Sequence, residues 1–183
     1  MKKPLLAAVF LLAASLSFGQ IYRGEGEGKG GPVAFSLHFV EYAGYRYLLL
    51  IDGVSVFMEE AALGRLEAIL EKFRAWEAIA AESRAALTKT IDSITFDSFH
   101  YSHAFFREPL VFYFVFTGGP LAAAAEETPV GYTLFIDTTL DRIAPFRLSS
   151  EAAAELLEAL SPEHLAEARE AWEQQKALED LFR

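Results

Sequence analysis

The chain has no cysteine. Disulfide staples, thiolate nucleophiles, cysteine-held metal centres and lipid attachment at a cysteine are therefore excluded, and stability has to come from an ordinary core. Basic residues are scarce: 16 Lys and Arg stand against 26 Asp and Glu, a formal net charge of −10. No basic stripe exists, the densest groupings being Arg107 alone and Lys72 with Arg74. A surface of that sign repels phosphate backbones and anionic headgroups, which argues against nucleic-acid and membrane-surface partners. Apolar runs are short as well. The run from Leu5 to Leu16 falls below the ~20 residues that a helix needs to span a bilayer.

That run follows Lys2 and Lys3 and precedes the small residues Ser17 and Gly19. The layout is that of a secretory signal peptide over residues 1–19, cleaved before Gln20. The mature chain is then a periplasmic or secreted protein with no membrane span, one domain over residues 20–183 and large enough to bury a core. With Lys2 and Lys3 gone, 16 basic residues become 14 and the net charge becomes −12.

In GEGEGKGG, Gly26, Gly28 and Gly31 fall at the G-x-G-x-x-G spacing of a dinucleotide-binding turn. A pyrophosphate needs the free N–H groups of a following helix, but this stretch runs into Pro32 and an alternating apolar segment, and Glu25 and Glu27 repel an anion. Nucleotide binding is not expected, and no cofactor is called for. Glycine on the even positions and charge on the odd ones suits a strand whose bare face lets a bulky neighbour approach. A tether over residues 21–29 is the other reading of the same pattern.

From Val33 to Met58 the alternation of Val33, Phe35, Leu37 and Phe39, the apolar run Tyr45 to Ile51, the turn residues Asp52-Gly53 and the return from Val54 spell a meander of strands. Leu63, Leu66, Ile69, Leu70, Phe73, Trp76 and Ile79 then recur every three or four residues, which predicts a long amphipathic helix from Glu59 to about Leu87. Gly64 inside it suggests close packing or a ragged first turn.

The second half repeats the recipe, with strands expected at Ile91 to Phe99, Leu110 to Phe116, Val130 to Ile136 and Asp141 to Phe146, and a helix from Glu151. Gly118 to Pro129 reads as a long hairpin loop. Phe112, Phe114 and Phe116 share one face of their strand and Val111, Tyr113 and Val115 the other, which predicts a central strand covered by helices on both sides. Tyr47 to Asp52 echoes Tyr132 to Asp137. Ser161 and Pro162 start an acidic C-terminal helix over residues 161–183, with Trp172 on its thin apolar stripe. The fold class is thus α+β: a mainly antiparallel sheet of six to eight strands in a twofold (ββββα) order, with a long central helix and C-terminal helices packed on it. In element order alone this is similar to the Whirly-like and PUR-repeat nucleic-acid binders; no motif accompanies the likeness, and the charge speaks against their activity.

Three chemistries are open to these residues. Nine of the residues from Phe96 to Phe116 are Phe or Tyr, so Phe99, Tyr101, His103, Phe105, Phe106 and Arg107 can frame an apolar groove for a small apolar ligand or a protein partner; core packing is the plain alternative. Asp97, His100 and His103 hold the residue types of a metal site or a hydrolytic centre, although a spacing of three puts two histidines on opposite faces of a strand. No nucleophile elbow is present, and no catalytic residue is assigned. A homodimer formed through the sheet, structural in role, is the third reading.

Overall fold

The computed structural model describes residues 19–42, 44–96, 99–101, 104–106, 108–119, 131–140 and 143–181. In chain order these form β1 (Gln20–Gly28), β2 (Gly31–Tyr42), β3 (Tyr45–Ile51), β4 (Val54–Met58), α1 (Glu60–Ser83), β5 (Leu87–Phe96), β6 (Phe99–Tyr101), β7 (Ala104–Phe106), β8 (Leu110–Gly119), β9 (Gly131–Thr138), β10 (Phe146–Ser149), α2 (Ser150–Ala159) and α3 (Pro162–Leu181). The strands make one antiparallel sheet in the order β5-β8-β9-β10-β1-β2-β3-β4-β6-β7. The architecture is α+β with a central helix. Eight longer strands meet the expected number, and a hairpin of two three-residue strands extends the sheet beyond β4.

Each half of the chain is a run of four neighbouring longer strands followed by a helix, and the halves join where β10 pairs β1. The echo of Tyr47 to Asp52 in Tyr132 to Asp137 falls on the third longer strand of each half. Its burial is in phase, since Tyr47, Leu49 and Ile51 turn inward as Tyr132, Leu134 and Ile136 do.

Residues 21–29 settle into a strand and its turn, not a tether. Tyr22, Gly24, Gly26 and Gly28 alternate with Arg23, Glu25 and Glu27, and the charged set is exposed. The glycines are a packing requirement: a Cβ on Gly26 would lie 2.5 Å from the ring of Phe146, itself 1 % exposed, and 3.0 Å from the Arg147 carbonyl. The β3–β4 turn has φ of 46° at Asp52 and 80° at Gly53, the positive pair that a two-residue Asp-Gly hairpin uses.

The sheet curls over α1, which touches β3 and β4 on one side and β5 and β8 on the other. Leu63, Leu66, Ile69, Leu70 and Phe73 from α1, Ala153 and Leu156 from α2 and the inward strand residues share one core. The helix ends earlier than its pattern suggests, at Ser83, with Arg84 left-handed at φ 49°; Ile79 is 63 % exposed and outside the core. Nothing approaches a Cβ on Gly64, so close packing does not explain that glycine. β5 begins at Leu87 instead of Ile91, and the strand expected from Asp141 lies instead at Phe146–Ser149, residues 141–142 being outside the described set.

β5 is an edge strand. Two cations of α1 cover part of its free edge: Arg65 donates to the Ser93 carbonyl and Lys72 Nζ to that of Ile91 at 3.3 Å. β8 differs from its expectation. Phe112, Phe114 and Phe116 face the helices, but Tyr113 on the opposite face is 42 % exposed and Val111 and Val115 are half-buried, so the described helices cover only one side.

Helix α3 lies against β1 and β2. Trp172 is the contact its thin stripe suggested: it packs on the main core and on a smaller cluster of Val40, Leu48 and Phe57.

Candidate functional site

The aromatic segment forms the β6–β7 hairpin at the end of the sheet. Phe99 opposes Val56 on β4 and Phe106 on β7. Both phenyl rings turn toward the core: Phe99 is 2 % exposed and stacks on the half-buried Phe106 with centroids 5.0 Å apart and planes 13° apart. These two side chains are thus occupied with each other and with the core. Tyr101, His100 and Phe105 hold backbone positions in the hairpin, His100 opposite both Ser55 and Phe105. Asp97, His103 and Arg107 lie outside the described residues, so the metal triad Asp97, His100 and His103 is not brought together among them.

The glycine stretch lines a hollow of about 470 Å³ at β1, β9 and β10, rimmed by Glu25, Glu27, Thr133, Arg147 and Ser149. Gly28 is followed by a turn and β2, not by a helix. The two carboxylates of Glu25 and Glu27 oppose a pyrophosphate.

A cleft of about 510 Å³ opens between β1, α2 and α3. Its floor is apolar, made of Ile21, Ala159, Ala168, Ala171 and the body of Tyr22. Around it stand the carboxylates of Glu155, Glu158 and Glu167. The sequence places them there for separate reasons. Alternation along β1 turns Tyr22 inward, where its ring meets Phe35 at 5.4 Å. Helix α2 is started by Ser149, whose hydroxyl accepts from the Ala152 N–H at 3.1 Å, and its period carries Glu155 and Glu158 to the cleft. Ser161 begins α3 immediately afterwards, which brings the two helices to the same wall.

The polar groups have defined roles. Tyr22 donates from its hydroxyl toward the Ala152 carbonyl at 3.4 Å and Glu155 at 3.5 Å. Burial first, and then the Glu155 charge, push its phenol above the usual range. It is a neutral hydroxyl held by an acceptor, not an incipient nucleophile. His164 Nδ1 lies 3.2 Å from Ser161 Oγ and 3.0 Å from the Glu158 carbonyl, while the His164 backbone N–H donates to Ser161 Oγ at 3.5 Å. This Ser–His pair therefore closes the start of α3. What the cleft offers is an apolar floor below a negative rim, an arrangement that holds an apolar body and a positive head and repels anions.

None of these cleft residues was singled out by sequence reasoning. The available signal was the thin apolar stripe of the acidic C-terminal helix, which leaves Ala168 and Ala171 on one side and glutamates on the rest. No known protein family, curated protein or solved structure matches this chain.

Proposed function

We propose that this chain is an exported, non-catalytic binding protein of the periplasm or cell exterior, and that its ligand is a small, largely apolar molecule with a positive end, seated in the cleft between β1, α2 and α3. The observation that carries the reading is the cleft itself: about 510 Å³ is within the usual range of small-molecule sites, and its floor and rim differ in chemistry. Export rests on the N-terminal pattern of two lysines, a short apolar run and small residues before Gln20. Binding is favoured over hydrolysis because Tyr22, Ser161 and His164 are engaged in holding the cleft walls.

Native mass spectrometry of the chain recovered from its own cell envelope tests this. A small-molecule adduct that is lost on denaturation is expected, and the variant Ala171→Trp, which fills the cleft from a half-buried position, should lack it. A wild-type chain that is bare under native conditions, or an adduct kept by Ala171→Trp, would overturn the reading.

A further inference from the structure

The outer face of β5, β8, β9 and β10 is unlike the rest of this acidic chain. Register fixes its members. Ser93 opposes Tyr113, which opposes Asp137; Thr90 opposes Val115, then Phe135, then Arg147; Thr88 opposes Thr117, then Thr133, then Ser149. Hydroxyls and apolar groups dominate, with Asp137 and Arg147 the only charges in those rows, so these four strands carry no net charge there on a chain of net charge −10, and the row through Arg147 continues to Glu27 on β1. Tyr113 stands out from it at 42 % exposure, Val115 and Phe135 are half-buried, and Arg147 lies over the Phe135 ring at 5.7 Å. Helices α1 and α2 pack on the opposite, inward side through Phe116, Leu134 and Leu148.

We infer that this face docks a second copy of the chain, through a two-fold axis lying in the sheet plane beside Phe135. A two-fold contact must be self-complementary, each feature meeting its counterpart on the other copy. Two pairs of features obey one axis. Asp137 and Arg147 sit on adjacent strands two residues apart in register, so a rotation about their midpoint places each over the opposite charge of the other copy. The protruding Tyr113 lies on one side of that axis, and on the other, across β10, lies the hollow of about 470 Å³ lined by Thr133, Arg147 and Ser149 and by Glu25, Glu27 and the glycines of β1, whose carboxylates can accept from the tyrosine hydroxyl. Each tyrosine then enters the hollow of its partner while both ion pairs close.

Four strands and three alternate rows span roughly 19 by 17 Å, well under the ~800 Å² per partner of a standard interface. The dimer is therefore concentration-dependent, not obligate. A charge swap is the decisive experiment. In sedimentation velocity over a hundredfold range of protein concentration, the wild-type chain should shift from monomer toward dimer. Arg147→Asp and Asp137→Arg should each lower the association constant at least tenfold, because each sets like charges together twice. The double variant D137R/R147D should recover most of it, its far-UV dichroism matching wild type. A wild-type chain that stays monomeric, single variants that dimerise normally, or a double variant no better than the singles would overturn the inference.

Discussion

The Tyr47 hydroxyl bridges both oxygens of the Glu60 carboxylate, at 3.2 and 3.1 Å, and so ties the middle of β3 to the first turn of α1. That helix start has no side-chain cap: Glu59 is extended at φ −88°, and only its carbonyl is used, by Ala62 and Leu63. The bridge supplies from the sheet an anchor that the local sequence does not. Burial, and then the Glu60 charge, push the Tyr47 phenol up to about 12 from its ordinary 10.0.

Alkaline stability should follow from this bridge. A phenol whose folded value is raised contributes stability that is whole below pH 10 and declines as pH climbs toward 12, because the unfolded chain releases its proton first. At neutral pH, Tyr47→Phe should lose about 1 kcal/mol, the net value of a typical hydrogen bond. Its deficit relative to wild type should shrink above pH 10 and disappear before pH 12. Urea unfolding of both proteins from pH 7 to 12 measures the difference, and a gap that stays constant across that range would contradict it.

Gly64→Ala should stabilise the protein. The position is exposed, inside α1, and an added methyl group meets nothing within 4 Å. Relief of glycine's backbone entropy in a helix is worth about 0.5–1 kcal/mol. Thermal melts should rise by ~1–4 °C.

Gly26→Ala should do the opposite. The same methyl group would strike a fully buried phenyl ring and approach a backbone carbonyl, and Phe146 has no open space to retreat into. Overpacking of this kind costs about 1–3 kcal/mol. An unchanged denaturation midpoint would show that β1 packs less closely than described here.

Much of the fold was legible in the sequence because periodicity reports burial directly. The alternation of Val33, Phe35, Leu37 and Phe39 and the three-and-four spacing of Leu63 to Phe73 each named a buried face correctly. Where periodicity had to speak for a partner, it misled. Val111, Tyr113 and Val115 are apolar, yet none of the described helices covers them; Ile79 continues the stripe of α1 but is 63 % exposed, while its neighbour Ala80 is the residue that turns into the core. The cleft was illegible for a related reason. Tyr22 and Glu155 are 133 residues apart, and only the pairing of β1 with β10 brings α2 beside β1. The aromatic density around Phe99 drew attention to a chemistry that, at Phe99 and Phe106, is ring stacking inside the core.

The free edge of β5 gives a prediction about association of the wrong kind. An unpaired strand edge templates aggregation unless it is covered. Arg65 and Lys72 occupy the Ser93 and Ile91 carbonyls, and Arg65 also holds Asp92, whose carboxyl is kept below the usual range by the Ser93 N–H first and by Arg65 second. Replacing both with alanine should lower the temperature at which heated samples begin to scatter light by more than the loss in melting temperature accounts for. Equal shifts in both would mean that the cations act only on stability.

Calorimetric titration of residues 20–183 with octylammonium, with octanoate as the control of opposite charge, addresses the cleft most directly. Octylammonium should bind saturably at one site, at least tenfold more tightly than octanoate, and Ala171→Trp should abolish that binding while retaining the wild-type dichroism spectrum. Equal affinity for the two amphiphiles, or undiminished octylammonium binding by Ala171→Trp, would contradict a cleft that selects an apolar body with a positive head.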